Sequence, residues 1–222
     1  MKILNFLFSR SKQEQDKPIR DKLKTRKDFE RVLAEDLDIM ETTKARMDTA
    51  KNINLYMYRS LSYSYILILQ SKYSVDAKID ELRDIYIKSM HYFLQAFNKR
   101  NPIYADILNY VSLGVLLNIP DNNFRQLIDY VKQMDKQAKP SNWTPDLLLW
   151  FMLNSQLTEN KKQTYANKLA FPKLYKGLFK LTQISDAQEA KKALKDYIEK
   201  WYTLNNDAPW YNSHLKKNCY RG

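Results

Sequence analysis

The 83 residues from 19 to 101 contain neither proline nor glycine, and glycine occurs only three times in the whole chain of 222 residues. These two residue types most often interrupt helices or form tight turns. Glycine also builds β-hairpin turns and phosphate-binding loops, so its scarcity argues against β-meanders, Walker loops and dinucleotide-binding motifs. The sequence therefore predicts an all-α protein, and we expect an antiparallel bundle of about seven helices.

The N-terminal half is predicted to form a long helical hairpin. Thr25 followed by Asp28 is a loose capping box that marks the first helix start. Apolar residues then recur at spacings of three, four and seven as far as Ile68, with no helix breaker between them. We expect one very long helix or a helix with a kink. A second helix is predicted to follow from Ser74 or Asp76 to about residue 101.

Later prolines predict the starts of later helices, because the first turn of a helix does not use the amide that proline lacks. The best formed start is Thr144-Pro145-Asp146, read as a cap, a first-turn proline and a carboxylate near the positive end of the helix dipole. The run Leu147–Leu153 is apolar on all sides and is predicted to lie centrally in the core. The expected helices are Ile103–Leu117, Asp121–Gln137, Pro145–Leu157, Pro172–Ile184 and Asp186–Leu204.

These patterns suggest three regions. We expect a flexible N-terminal tail at 1–19, an N-terminal helical hairpin domain at 20–101 and a C-terminal helical domain at 102–222 that is incomplete.

The net charge of +12 is concentrated at the two ends of the chain, with +6 in residues 1–27 and +8 in residues 161–222. Basic segments attract nucleic acid, anionic membranes or acidic proteins, and they also form ordinary solvated surfaces. One hypothesis is therefore a helical nucleic-acid-binding protein that contacts phosphates through Lys161, Lys162, Lys168, Lys173, Lys176 and Lys180.

Candidate sites for chemistry are scarce. His91 and His214 stand apart from any cluster with metal-ligand spacing, so we predict no metal, no cofactor and no catalytic residue. No apolar run approaches the roughly 20 residues that a membrane span requires. The single cysteine, Cys219, fits a reducing compartment, and we expect a cytoplasmic protein.

One acidic cluster stands out on the first predicted helix. Glu35, Asp38 and Glu41 are spaced three residues apart, which places them on a shared face. Such a face is usually a solvated surface, and its functional interpretation is contact with a basic protein surface.

Tyrosine is abundant, with 16 residues, and four of them cluster near Arg59. Three interpretations stay open for this cluster: a stacking platform for single-stranded nucleic acid, a protein interface and core packing. The four are Tyr56, Tyr58, Tyr63 and Tyr65.

Two segments resemble a known family. The C-terminal segment Trp210-Tyr211-Asn212-Ser213-His214, followed by Tyr220-Arg221-Gly222, is similar to the entry of the C-terminal domain of PoNi-type bacterial immunity proteins, which neutralise polymorphic nuclease effectors. Near the N-terminus, Arg20-Asp21-Lys22-Leu23 and Asp28-Phe29 resemble the start of the companion N-terminal domain. The residues that carry the C-terminal motif are Trp210, Tyr211, Ser213, His214, Tyr220 and Gly222.

The resemblance implies a non-enzymatic inhibitor that binds a cognate toxin in the cytoplasm and blocks access to its active site. Glu35, Asp38 and Glu41 would then face the toxin, and homodimerisation is left open. The family pattern continues beyond the position of Gly222, so we expect a truncated or shortened member. The charge of +12 is also unexpected for a partner of nucleases, which are commonly basic themselves.

Overall fold

A computed structural model describes residues 24–97, 103–136, 143–157 and 166–208, together with positions 19, 162, 211 and 212. Within these residues the chain forms eight α-helices and no strand, which confirms the all-α prediction. The helices are α1 (Arg26–Thr49), α2 (Leu55–Ser74), α3 (Ile79–Ala96), α4 (Tyr104–Leu116), α5 (Asp121–Lys136), α6 (Leu147–Asn154), α7 (Pro172–Leu181) and α8 (Ala187–Leu204).

The predicted start of α1 is confirmed by a complete capping box. The Asp28 amide donates to the Thr25 hydroxyl, and the Thr25 amide donates to the Asp28 carboxylate at 2.9 Å. The expectation of one continuous or kinked helix as far as Ile68 is wrong. The chain leaves the helix at Ala50, and the side chain of Asn54 caps α2 by accepting a hydrogen bond from the Met57 amide at 3.1 Å.

The region predicted to form a long two-helix hairpin therefore contains three helices, with α2 packed between α1 and α3. Ser74 ends α2, so the expected helix start at Ser74 or Asp76 is also wrong, and α3 begins only at Ile79. Asp76 takes a left-handed conformation with φ of 70° at this turn. Aspartate tolerates that conformation better than most residues, which lets the chain reverse without glycine.

The later helices follow the predicted boundaries within a few residues, and α6 gives the clearest correction. Thr144 does not cap this helix. Asp146 does, because its carboxylate accepts from the amides of Leu148 and Leu149. The expected central position of α6 is confirmed by the burial of Leu148, Leu149, Trp150 and Leu153.

The main hydrophobic core lies among α2, α3, α4, α5 and α6, and its largest fully buried side chains are Trp150, Tyr86, Phe93 and Phe124. A smaller apolar cluster joins α1 to α2 through Leu33, Met40, Leu61, Tyr65 and Ile68. The main core contains residues from both sides of position 101. The division into domains at 20–101 and 102–222 stays a prediction, and positions 1–18 of the predicted tail lie outside the described residues.

Helices α7 and α8 pair with each other and have no fully buried residue. The Tyr197 ring of α8 lies against Gly177 of α7, and its hydroxyl donates to the Leu174 carbonyl at 3.1 Å. Phe179 of α7 meets the Phe151 ring of α6 edge to face. This hairpin adds an exposed, basic layer to the well packed helices before it.

Candidate functional site

The predicted acidic face is present on α1, where Glu35, Asp38 and Glu41 are all exposed. Two of the three carboxylates pair with cations of the same helix. Arg31 lies 2.8 Å from Glu35, and Lys44 lies 3.1 Å from Glu41. Exposed pairs of this kind contribute little to stability, but they reduce the net negative charge that the face presents.

Asp36 points the other way and is buried on the side of α1 that faces the core. Burial raises the pKa of this carboxyl group, and the negative charge of Glu35 adds to the effect. Its Oδ2 atom has no hydrogen-bond partner among the described residues. A buried, unpaired carboxylate is energetically costly, so Asp36 is a source of instability next to the acidic face.

The tyrosine cluster divides into two pairs with different surroundings. Tyr58 and Tyr65 lie against the ring of Tyr92 on α3, with ring centroids 6.4 and 5.8 Å apart. Tyr56 and Tyr63 point outward and are 79% and 64% exposed. Core packing therefore accounts for one pair, and the other pair is free to contact a partner.

Tyr56 and Tyr63 line a surface groove of about 610 Å³ between α2 and α4. The opposite wall carries Asp106 and Asn109 of α4, and the guanidinium of Arg59 lies over the Phe97 ring at 5.5 Å from its centroid. Tyrosine and arginine are the residue types most enriched at the energetic centres of protein interfaces. The sequence indicated the α2 residues but not the α4 residues, because only tertiary packing brings α4 alongside.

The floor of this groove is held by a buried polar network. The hydroxyls of Ser62 and Tyr110 share a hydrogen bond of 2.5 Å, and those of Ser89 and Tyr110 share one of 2.6 Å. Ser89 also donates to the Ser62 carbonyl at 2.7 Å. Burial raises the pKa of Tyr110 to about 12, so the phenol stays neutral. The network links α2, α3 and α4 and fixes the shape of the groove.

The lysines of the nucleic-acid hypothesis are distributed over the α7 region. Lys162, Lys168, Lys173, Lys176 and Lys180 are exposed, and Lys161 lies outside the described residues. Lys173 forms an ion pair of 3.1 Å with Asp207, near the end of α8. The basic surface is thus partly paired, and the exposed tyrosines Tyr56 and Tyr63 lie on α2, away from these lysines in the sequence.

Of the predicted C-terminal motif, only Tyr211 belongs to the described residues. Its ring lies 4.5 Å from that of Tyr202, and the Asn212 amide donates to the Tyr202 hydroxyl at 2.9 Å. The start of the motif is therefore anchored to the end of α8. Trp210, Ser213, His214, Tyr220 and Gly222 lie outside the described residues.

In the part of the chain that the structure describes, no three His, Cys, Asp or Glu side chains are placed to hold a metal ion. No described helix is long and apolar enough to cross a membrane.

Two protein-family models match the chain. The N-terminal model of the PoNe immunity proteins (PoNi) matches residues 11–129, and the C-terminal model of the same proteins matches residues 144–222. The chain belongs to this family. The resemblance seen in the two end segments is confirmed, and the matches cover the chain between them except residues 130–143. No curated protein and no solved structure matches the chain.

As a PoNe immunity protein the chain has a toxin as its cognate partner. A protein partner contacts exposed surface, and the α1 face and the α2–α4 groove are both exposed. Both surfaces fall within the residues matched by the N-terminal model.

Proposed function

We propose that this immunity protein binds its cognate toxin, a nuclease of a polymorphic toxin system, in the cytoplasm and covers the active site of that toxin. Membership of the PoNe immunity proteins over residues 11–129 and 144–222 carries the proposal. In this mechanism the protein excludes the substrate from the nuclease by occupying its surface and performs no catalysis. A stable complex of this kind buries roughly 1,200–2,000 Å² in total.

The acidic face of α1 is the first part of the proposed interface. A nuclease holds the phosphates of its substrate with lysine and arginine side chains, so a protein that occupies the same surface needs carboxylates. Glu35, Asp38 and Glu41 present three of them on one exposed helix face. Complementary charge of this kind accelerates association and favours the correct partner.

The test of the proposed function mixes purified protein with the cognate toxin. Calorimetry with a catalytically inactive toxin is expected to show a saturable complex, and addition of the protein to active toxin is expected to stop cleavage of its nucleic-acid substrate. Saturable binding without loss of cleavage would exclude coverage of the active site. Absence of binding would exclude the whole proposal.

Charge reversal tests the α1 face. The combined substitutions Glu35→Lys, Asp38→Lys and Glu41→Lys are expected to weaken toxin binding by at least tenfold, because close charge pairs at interfaces couple by roughly 1.5 kcal/mol or more. The matched control reverses three exposed acidic residues on other helices, Asp84, Asp129 and Glu199. Both variants should keep the helical circular dichroism spectrum. Equal affinity of the two variants would remove the α1 face from the interface.

A further inference from the structure

The groove between α2 and α4 is a second surface that a partner could contact. Its rim is formed by Tyr56 and Tyr63, whose rings are largely exposed, and its floor by Phe93 and Tyr110. The hydroxyls of Ser62 and Ser89 hold Tyr110 in place. The groove is therefore rigid at its base and open at its mouth, and a partner side chain can enter it without rearrangement of the bundle.

Asp106 places a carboxyl group in the wall of the groove. The side chain is half-buried, and burial raises the pKa of its carboxyl group while the charge of Arg59 acts in the opposite direction. The carboxylate makes no hydrogen bond or ion pair with the described residues. Arg59 instead places its guanidinium over the Phe97 ring. A partly desolvated carboxylate without a hydrogen-bond donor gains more from a cationic partner than a fully hydrated one does.

Asp106 differs in this respect from the carboxylates of α1. Glu35 and Glu41 are exposed and already pair with Arg31 and Lys44. A cation that approaches them must compete with water and with these neighbours. A cation that enters the groove meets a carboxylate without a hydrogen bond or ion pair to the described residues, and across the groove two tyrosine rings whose faces attract positive charge. The charge of Arg59, which also lines the groove, acts on Asp106 from a guanidinium that lies over the Phe97 ring.

We propose that the groove binds a lysine or arginine side chain of the cognate toxin, with Asp106 as its ion-pair partner and the rings of Tyr56 and Tyr63 against its aliphatic or planar part. This inference rests on the proposed function, since the occupant belongs to the toxin. The phosphate-binding surface of a nuclease is rich in such side chains. Insertion of one of them would place the rim of the groove over that surface.

The experiment measures affinity for catalytically inactive toxin with the full-length chain. Asp106→Asn removes the charge with little change of shape, and Tyr63→Ala removes an exposed ring. Each variant is expected to weaken binding by about tenfold or more, as substitutions at interface centres commonly do. The matched controls are Asp129→Asn, an exposed aspartate of α5, and Tyr73→Ala, an exposed tyrosine outside the groove. The controls should stay within about twofold of the unsubstituted protein.

The outcomes separate the two proposals. If the unsubstituted protein binds and inhibits the toxin and Asp106→Asn binds equally well, the groove proposal is overturned and the proposed function stands, whatever Tyr63→Ala does. If the unsubstituted protein does not bind, both fail. Thermal melting of each variant checks that the fold is intact, and the exposure of Tyr63 makes its truncation harmless to the core.

The charge of the occupant is tested by a double-mutant cycle. Individual lysine and arginine residues of the toxin are replaced by alanine and titrated against both the unsubstituted protein and Asp106→Asn. One toxin position is expected to lose affinity with the unsubstituted protein but show little further loss with Asp106→Asn, because the two groups interact. Strict additivity at every basic position of the toxin would refute a cation in the groove.

Discussion

Substitution of Gly114 by alanine tests how closely α4 packs against its neighbouring helices. Because α4 forms one wall of the groove, it also tests the position of that wall. Gly114 is buried in α4 and faces α3 and α5. A Cβ atom at this position would lie 2.7 Å from the Tyr86 hydroxyl and 2.8 Å from Cδ2 of Phe124, and closer still to Cε2 of that ring. These separations are well below ordinary van der Waals contact, so neighbouring groups must move.

Neither neighbour can move easily. Tyr86 and Phe124 are completely buried, and the Tyr86 hydroxyl donates to the Tyr110 carbonyl at 2.7 Å. Overpacking of a core costs typically 1–3 kcal/mol, and several severe contacts place this site at about the upper end. Alanine regains about 1 kcal/mol of helix propensity relative to glycine. We therefore expect Gly114→Ala to lower the free energy of unfolding by about 2 kcal/mol, the difference between these two contributions.

Gly177→Ala is the matched control, because Gly177 also lies inside a helix but is exposed. A Cβ atom there would lie 3.0 Å from Cδ2 of Tyr197, which is only half-buried and can shift. The same gain in helix propensity should then leave stability unchanged or raise it by up to about 1 kcal/mol.

Urea unfolding at 25 °C, followed by circular dichroism, measures both variants. The two substitutions are expected to change stability in opposite directions or to differ by at least 1 kcal/mol, about the size of the propensity gain itself. If Gly114→Ala is as stable as the unsubstituted protein, the packing of α4 against Tyr86 and Phe124 is not as close as described. The description of the adjoining groove wall would then be wrong as well.

Two further stability predictions follow from buried carboxyl groups. Because burial raises the pKa of Asp36, the folded state holds its proton more tightly than the unfolded chain does, so stability falls as pH rises from the usual aspartate pKa through the raised one. Asp36→Asn should remove this slope and raise the free energy of unfolding at pH 7 by roughly 1 kcal/mol. Urea unfolding between about pH 3 and pH 7, from roughly the usual aspartate pKa to neutrality, measures the slope. If the substitution leaves the slope of stability against pH unchanged, the reasoning is wrong. Asp146→Ala should destabilise by about 3 kcal/mol or more, since the buried carboxylate accepts from the amides of Leu148, Leu149 and Ala170 and from the Tyr104 hydroxyl. Its control, Asp186→Ala, removes an exposed cap of α8 and should cost only about 1 kcal/mol; equal losses for the two caps would contradict the tertiary role of Asp146.

Local signals in the sequence predicted helix starts well where the cap and its partner are a few residues apart. The capping box of Thr25 and Asp28 is such a case. Predictions failed where a contact with a residue far along the chain determines the local structure. Asp146 caps α6 in place of Thr144, and its carboxylate also accepts from the Ala170 amide, 24 positions further along the chain. The hydrophobic pattern likewise gave no sign of the break after α1, because apolar spacing continues across it while Asn54 starts a new helix.

The candidate surfaces show the same division. The α1 face could be predicted because a spacing of three residues on one helix determines which side chains are neighbours. The groove could not, since Asp106 and Tyr63 line one groove only when α2 and α4 come together in the folded bundle. Which tyrosines of the cluster are exposed was likewise undecided until α3 covered Tyr58 and Tyr65.

The amino-acid sequence by itself determined that the chain is helical and which family it belongs to, because helix formation depends on neighbouring residues and the family motifs are read along the chain. The tertiary structure alone decided which charges and rings remain available to a partner. Burial is a property of the packed helices, and Asp36 and Asp106 differ from the carboxylates around them only because other helices lie against them.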